Sequence, residues 1–202
     1  MDENYLILEA KKGDLDAFNR LVLAYQSRVF NLSYRILGDE AAAEDTTQTT
    51  FLTAFQKLSG FRGGSFVAWI LRIATNQCYD ALRYAKRHPS TPLEPGDDED
   101  DAPESPSWMT DHSNQPETMF DQAELDHAIQ HCLSALPTDY RTVAVLVDVQ
   151  GMDYEAAAAI VKTPLGTIKS RLARARLRLR ECLAGVWELL PPSIRLNIEG
   201  TQ

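Results

Sequence analysis

The segment from Pro89 to Pro116, PSTPLEPGDDEDDAPESPSWMTDHSNQP, limits this chain more than any other stretch. It is dense in proline, serine and carboxylates, and too little of it is apolar for burial to offset the entropy of ordering it. It reads as a flexible linker. The 202 residues therefore divide into an N-terminal piece over 1–88, an acidic linker over 89–120, a C-terminal piece over 121–190 and a tail over 191–202. The two outer pieces are each long enough to hold a small core of their own.

The linker also explains the charge. The formal net charge of -9 looks hostile to nucleic acid, yet residues 89–120 carry nine carboxylates and no lysine or arginine. Residues 1–88 hold 11 basic against 10 acidic side chains, and residues 121–202 hold nine against 10. Neither piece is acidic enough to exclude a polyanionic partner. No run of about 18 apolar residues is present, and Met1–Lys12 lacks the apolar core of a secretion signal. The expectation is a cytoplasmic protein with no membrane insertion. Cys78, Cys132 and Cys182 are odd in number and far apart, without zinc-knuckle or disulfide-frame spacing, so they read as reduced thiols.

Both pieces carry the helical period, and neither shows convincing strand alternation, which predicts an all-α protein. Leu15, Phe18, Leu21, Val22, Tyr25, Val29, Leu32 and Ile36 form one stripe ending at Gly38, a C-cap glycine. A second helix is predicted from Glu40 to Leu58 with Phe51, Leu52, Phe55 and Leu58 inward, and a third from Phe66 to Arg87 after the loop GFRGGS. Val143–Val149 could pass for a buried strand, but the Leu136-Pro137 start signal favours a helix.

Met152–Glu181, MDYEAAAAIVKTPLGTIKSRLARARLRLRE, is the most informative segment. Asp153 can cap a short helix through Ile160, Pro164 breaks it, and a second helix starts at Leu165. This is helix-turn-helix spacing. On the second helix Leu165, Ile168, Leu172, Ala175, Leu179 and Leu183 share one side, while Thr167, Ser170, Arg171, Arg174 and Arg178 gather on the other. Thr167, Ser170 and Arg171 are placed to meet base edges in a major groove, and Lys169, Arg174, Arg176 and Arg178 to meet phosphates. No carboxylate lies between Lys169 and Arg180 to neutralise them.

The run YEAAAAIVKTPLGTIKSRLARARLRLRE resembles region 4.2 of extracytoplasmic-function sigma factors, matching at Pro164, Gly166, Thr167, Lys169, Ser170, Arg171, Arg174, Ala175 and Arg176. LSALPTDYRTVAVL is similar to region 4.1. In the N-terminal piece GDEAAAEDTTQTTFLTAFQKL resembles region 2.2, matching at Ala43, Glu44, Asp45, Gln48, Phe51 and Leu52, and departing at Thr46 and Thr49. FRGGSFVAWILRIATNQCYDALRYAKR resembles regions 2.3 and 2.4. The resemblance covers about residues 10–88 and 120–185 and implies two helical domains in the order of the family.

It also implies partners. Asp45, Gln48, Phe51 and Leu52 would dock on the clamp of the largest subunit of core RNA polymerase, and the C-terminal domain on the flap of the second-largest subunit. Arg62, Trp69, Arg72, Asn76, Arg83, Lys86 and Arg87 would capture and melt the minus-ten element, where an unpaired base needs rings, edge donors and backbone cations. The C-terminal helix would read the minus-35 element. The family further implies a role in stress or environmental response and control by an anti-sigma factor. An alternative reading is a helix-turn-helix repressor or activator acting without polymerase. Glu124, His127 and His131 beside Cys132 have helical spacing for a metal but read better as a polar helix face. No motif of catalytic or cofactor chemistry is recognised, so no cofactor, resident metal or enzyme activity is expected. The linker reads as a solvated spacer, with a DNA-mimicking cover over Lys169–Arg180 as the other possibility.

Overall fold

The computed structural model describes residues 3–88 and 116–186, with side chains for 3–88 and 123–185. It contains helices α1 (Glu3–Lys11), α2 (Leu15–Leu37), α3 (Glu40–Lys57), α4 (Phe66–Arg87), α5 (Pro116–Ser134), α6 (Thr138–Ala144), α7 (Tyr154–Val161) and α8 (Leu165–Val186). No strand occurs among the described residues. The linker's expected flexibility and the 191–202 tail lie outside them. α5 starts inside the segment read as linker, with Pro116 at its first position, where a missing N–H costs nothing.

The helix boundaries follow local chemistry. Asp14 accepts from the Asp16 and Ala17 amides at 2.9 and 3.1 Å, and α2 ends at Gly38, whose φ of 79° lets its N–H turn back to the Tyr34 carbonyl. Asp39 caps α3, Ser65 caps α4 and Asp153 caps α7. The Val143–Val149 ambiguity resolves to helix: α6 runs into one π turn over Val145–Val149, where the Gln150 amide bonds the Val145 carbonyl at 2.9 Å. α1 has no counterpart in the sequence reading. It buries Ile7 and Ala10 and ties to α2 through Tyr25, whose hydroxyl donates to Glu3.

Leu21, Val29, Leu32, Ile36, Ile70 and Leu71 make the centre of the N-terminal bundle, and Val143, Leu146, Ile168 and Leu172 that of the C-terminal one. The two centres join into one continuous apolar core, since α2 packs on α5 and α6 and α4 packs on α7.

Two expectations change. On α3, Phe51 and Leu58 are buried as predicted, but Leu52 is 65% exposed and Phe55 40%. Phe51 and Ala54, with Leu58 just past the end of the helix, take the stripe that faces the core, and Leu52 and Phe55, one position further round, fall on the next. Cys132 and Cys182 are a disulfide joining α5 to the end of α8, with 5.7 Å between Cα atoms. Fifty residues of chain separate them. Packing of α5 against α8 closes that gap in space, which spacing along the chain does not report. Cys78 is free and buried, and burial pushes its thiol up to about 12.

Candidate nucleic-acid interface

α7 and α8 are joined through Lys162, in the left-handed region at φ 54°, and Pro164, whose carbonyl accepts from the Thr167 and Ile168 amides. Ile168, Leu172 and Ala175 are buried, which points the opposite side of α8 outward. Lys169, Ser170, Arg174, Arg176 and Arg178 are exposed there, with Thr167 and Arg171 half-buried at the edge. The expected face is therefore assembled.

Its arginines do not lack partners, however. Arg171 pairs with Asp139 at 2.6 Å, and Arg176 makes two bonds to Asp148 at 2.6 and 3.1 Å. Arg174 donates to the Tyr140 hydroxyl at 3.2 Å, which lowers the pKa of that phenol, and the Arg178 guanidinium sits 5.5 Å from the Tyr140 ring. No carboxylate lies between Lys169 and Arg180 along α8, but α6 and the π turn supply them from across the fold. Exposed pairs of this kind contribute about 0–1 kcal/mol and are readily exchanged for phosphate. Asp139, Tyr140 and Asp148 were not singled out in the sequence, and only their helical phase against α8 could have found them.

The minus-ten candidates share one region. Gly63 and Gly64, at φ 92° and 89°, turn the loop between α3 and α4, and Phe61, Phe66 and Trp69 form a ring cluster with centroids 5.2 to 5.8 Å apart. Trp69 is half-buried, while Arg62, Arg72, Asn76, Arg83, Lys86 and Arg87 are exposed. Lys11 donates to the Phe61 carbonyl and lies 5.6 Å from its ring, fastening the loop to α1. Arg83 pairs with Asp80 one turn away. Arg62, Arg72, Lys86 and Arg87 have no ion pair among the described residues.

The third cluster borders an open apolar groove of about 650 Å³ between α2 and α3. Gln48, Phe51 and Leu52 line it together with Leu15, Phe18 and Phe55, the last two rings meeting edge to face at 5.0 Å. Glu44 lines the groove, whereas Asp45 is exposed outside the lining. Leu15 and Phe55 were read as core; their exposure of 60% and 40% assigns them to this surface. His127 and His131 are exposed, and no group of three or more potential metal ligands occurs among the described residues. No helix among them is long and apolar enough to cross a membrane.

Two helical units, one carrying a helix-turn-helix and the other a ring-lined loop above a row of cations, define a DNA-engaging protein. Sigma-70 region 2 matches residues 21–88 and Sigma-70 region 4 matches residues 126–179. The chain is 34% identical over 170 residues to the ECF RNA polymerase sigma factor SigE of Mycolicibacterium smegmatis, covering 84% of this chain and 63% of that protein. It is 31% identical over 186 residues to RNA polymerase sigma-H factor of Pseudomonas aeruginosa, covering 90% and 93%. The crystal structure of the sigma factor RpoE with the anti-sigma factor NepR from Bartonella quintana superposes with a TM-score of 0.62 at 25% identity, covering 84% of this chain and 98% of that one. The chain belongs to the sigma-70 family, in its extracytoplasmic-function branch. It is accordingly a promoter-specificity factor for transcription initiation, and the reading as an independent repressor falls away, because region 2 accompanies the helix-turn-helix.

Proposed function

We propose that the three clusters divide the work of initiation. The α2–α3 groove, with Gln48, Phe51 and Leu52 in its lining and Asp45 beside it, takes the clamp of core polymerase. Region 4, residues 121–190, adds the contact with the flap. The observation that carries this is an open groove with an exposed apolar lining, since Leu15, Leu52 and Phe55 would gain by being covered.

The loop from Phe61 with Trp69, Arg72 and Asn76 receives unpaired bases of the minus-ten element, while Arg62, Arg83, Lys86 and Arg87 hold its backbone. Melting proceeds by capture: a base that leaves the stack meets rings and edge donors, and the phosphates stay neutralised. α8 lies in the major groove of the minus-35 element. Thr167, Ser170 and Arg171 meet base edges, and Lys169, Arg174, Arg176 and Arg178 meet phosphates. The work is binding and positioning, with no reaction catalysed by this chain itself and no cofactor of its own. The protein acts in the cytoplasm, serves a stress or environmental response, and is held in check by an anti-sigma factor. Similarity to a sigma factor solved with an anti-sigma factor supports that last point.

Run-off transcription from a genomic fragment library with purified core polymerase is the direct test. Discrete transcripts that need both this protein and core are expected. A protein that binds DNA tightly alone and never initiates with core would overturn the assignment.

A further inference from the structure

We propose that α1 braces the minus-ten loop in a form ready for an unpaired base, and that Lys11 is the positioning residue through which it does so. The proposal rests on the minus-ten reading above and deepens it. Only the two ends of the loop are packed. Phe61 and Phe66 are 6% and 1% exposed, whereas Arg62, Gly63, Gly64 and Ser65 between them are all exposed. A Cβ placed on Gly63 or Gly64 would meet nothing within 4 Å, so the fold does not crowd the tip at either glycine. An exposed, glycine-rich segment with few packed neighbours samples many conformations. Its geometry is therefore set by whatever fixes Phe61 and Phe66.

α1 reaches both. At its C-terminal end Lys11 donates from Nζ to the Phe61 carbonyl and lies 5.6 Å from the centre of the Phe61 ring. A charge-assisted bond to a carbonyl is roughly twice as strong as a neutral one, and the ring attracts the same cation. At the other end of α1 Glu3 accepts from the Tyr25 hydroxyl, and the Tyr25 ring packs on Phe66 with centroids 5.3 Å apart. Burial and the bond to Glu3 push the Tyr25 phenol up to about 12, so it remains a donor near neutral pH. Phe61 and Phe66 in turn pack on Trp69 at 5.2 and 5.4 Å, so both tethers converge on the ring cluster read as the receiver of a base. Lys12, the next residue, gives the contrast: it pairs with Glu9 at 2.7 Å, one turn back on α1 itself.

A preformed receiver matters to one step of initiation. Initial binding of duplex DNA draws on the arginines and lysines of α4 and α8. Capture of a base that has left the stack depends on the fraction of time the loop spends in its receptive form, since apparent affinity falls by that fraction. Lys11 therefore acts on strand opening, through geometry and not through its charge on DNA.

The test uses the full-length chain. Lys11→Met keeps the stem and removes the donor, Lys11→Arg restores donor and cation, and Lys12→Met removes the same charge one residue away. Lys11 is exposed, so none of these disturbs the core. Hydrogen exchange of the Leu58–Trp69 peptide in the free protein reads the brace. Lys11→Met should speed it about tenfold, while Lys11→Arg and Lys12→Met stay near wild type. Holoenzyme with core polymerase, on a promoter fragment recovered by run-off transcription, reads the function. For Lys11→Met the affinity of the initial complex should be unchanged. Strand opening, followed by permanganate reactivity of unpaired thymines, should slow about tenfold, as when the receptive form falls to about a tenth. Lys11→Arg should restore the rate. Tyr25→Phe, which keeps the ring on Phe66 and removes the tether to Glu3, should slow the same step by a smaller factor.

Unchanged exchange, or equal slowing by Lys11→Met and Lys12→Met, would overturn the brace. So would a salt slope of initial binding lowered by about one in Lys11→Met, because that marks a direct phosphate contact. Trp69→Ala and Arg72→Ala in the same holoenzyme separate this proposal from the reading beneath it. If they slow opening and Lys11→Met does not, the brace has failed and the minus-ten reading stands. If exchange quickens in Lys11→Met but none of the three changes opening, the minus-ten reading has failed, and the function of the brace with it.

Discussion

Arg171 and Arg178 stand on the same helix in different surroundings. Arg171 is early in α8, half-buried and held by Asp139, whereas Arg178 lies two turns on, exposed above Tyr140. Arg171→Ala is expected to cost about 1–3 kcal/mol of discrimination at the minus-35 element, and Arg178→Ala to weaken all sequences alike and lower the salt slope by about one. Holoenzyme binding to matched and scrambled minus-35 duplexes across a salt series separates them, and equal losses on both DNAs from both variants would refute the division. The cysteines provide a second residue-scale prediction. With its thiol pushed up to about 12 by burial, Cys78 should resist iodoacetamide at pH 8 in the native protein. Cys132 and Cys182 should become alkylated only after reduction, which peptide mass spectrometry resolves. The exposed arginine face of α8 was legible in the sequence because helical phase places it opposite Ile168 and Leu172. Their anchors Asp139 and Tyr140 were not, because a contact over 30 residues of chain leaves no local pattern.

Among the elements, α3 and the pair α5–α8 carry the clearest consequences. Leu52 and Phe55 are exposed, so Leu52→Ala should change stability by less than about 1 kcal/mol, against the roughly 2–5 kcal/mol expected for a buried leucine such as Leu172. The same substitution should nevertheless reduce co-purification with core polymerase, as should charge reversal at Asp45 combined with Gln48→Ala. Thermal melts alongside pull-down read both quantities, and unaltered recovery of core would remove the groove from the docking site. The Cys132–Cys182 link closes a loop of 50 residues, for which chain entropy predicts roughly 4 kcal/mol of stabilisation. Cys182→Ser should lower the stability of the C-terminal bundle by up to that amount, measured by denaturant unfolding with and without reductant. Identical midpoints in all four conditions would show that the link is not formed in solution.

For the whole molecule the acidic segment remains the sequence feature with the largest untested effect. Neutralising Asp97, Asp98, Glu99, Asp100 and Asp101 to their amides should raise the affinity of the isolated protein for promoter DNA at low salt if the segment screens α8, and the gain should fade at high salt. Affinity unchanged at every salt concentration would make it a tether alone. By itself the sequence determined what depends on neighbours along the chain: the helical class, the α2 stop at Gly38, the α7–α8 break at Pro164, and the cationic face of α8. Caps, glycine turns and the 3.6-residue period act over a few residues, so they are written locally. Only the tertiary structure decided that Leu52 and Phe55 line a surface, that Cys132 meets Cys182, that carboxylates of α6 and the π turn reach α8, and that α7 packs on α4. Each of these joins residues from different helices, and which faces meet is settled by packing two bundles into one apolar core.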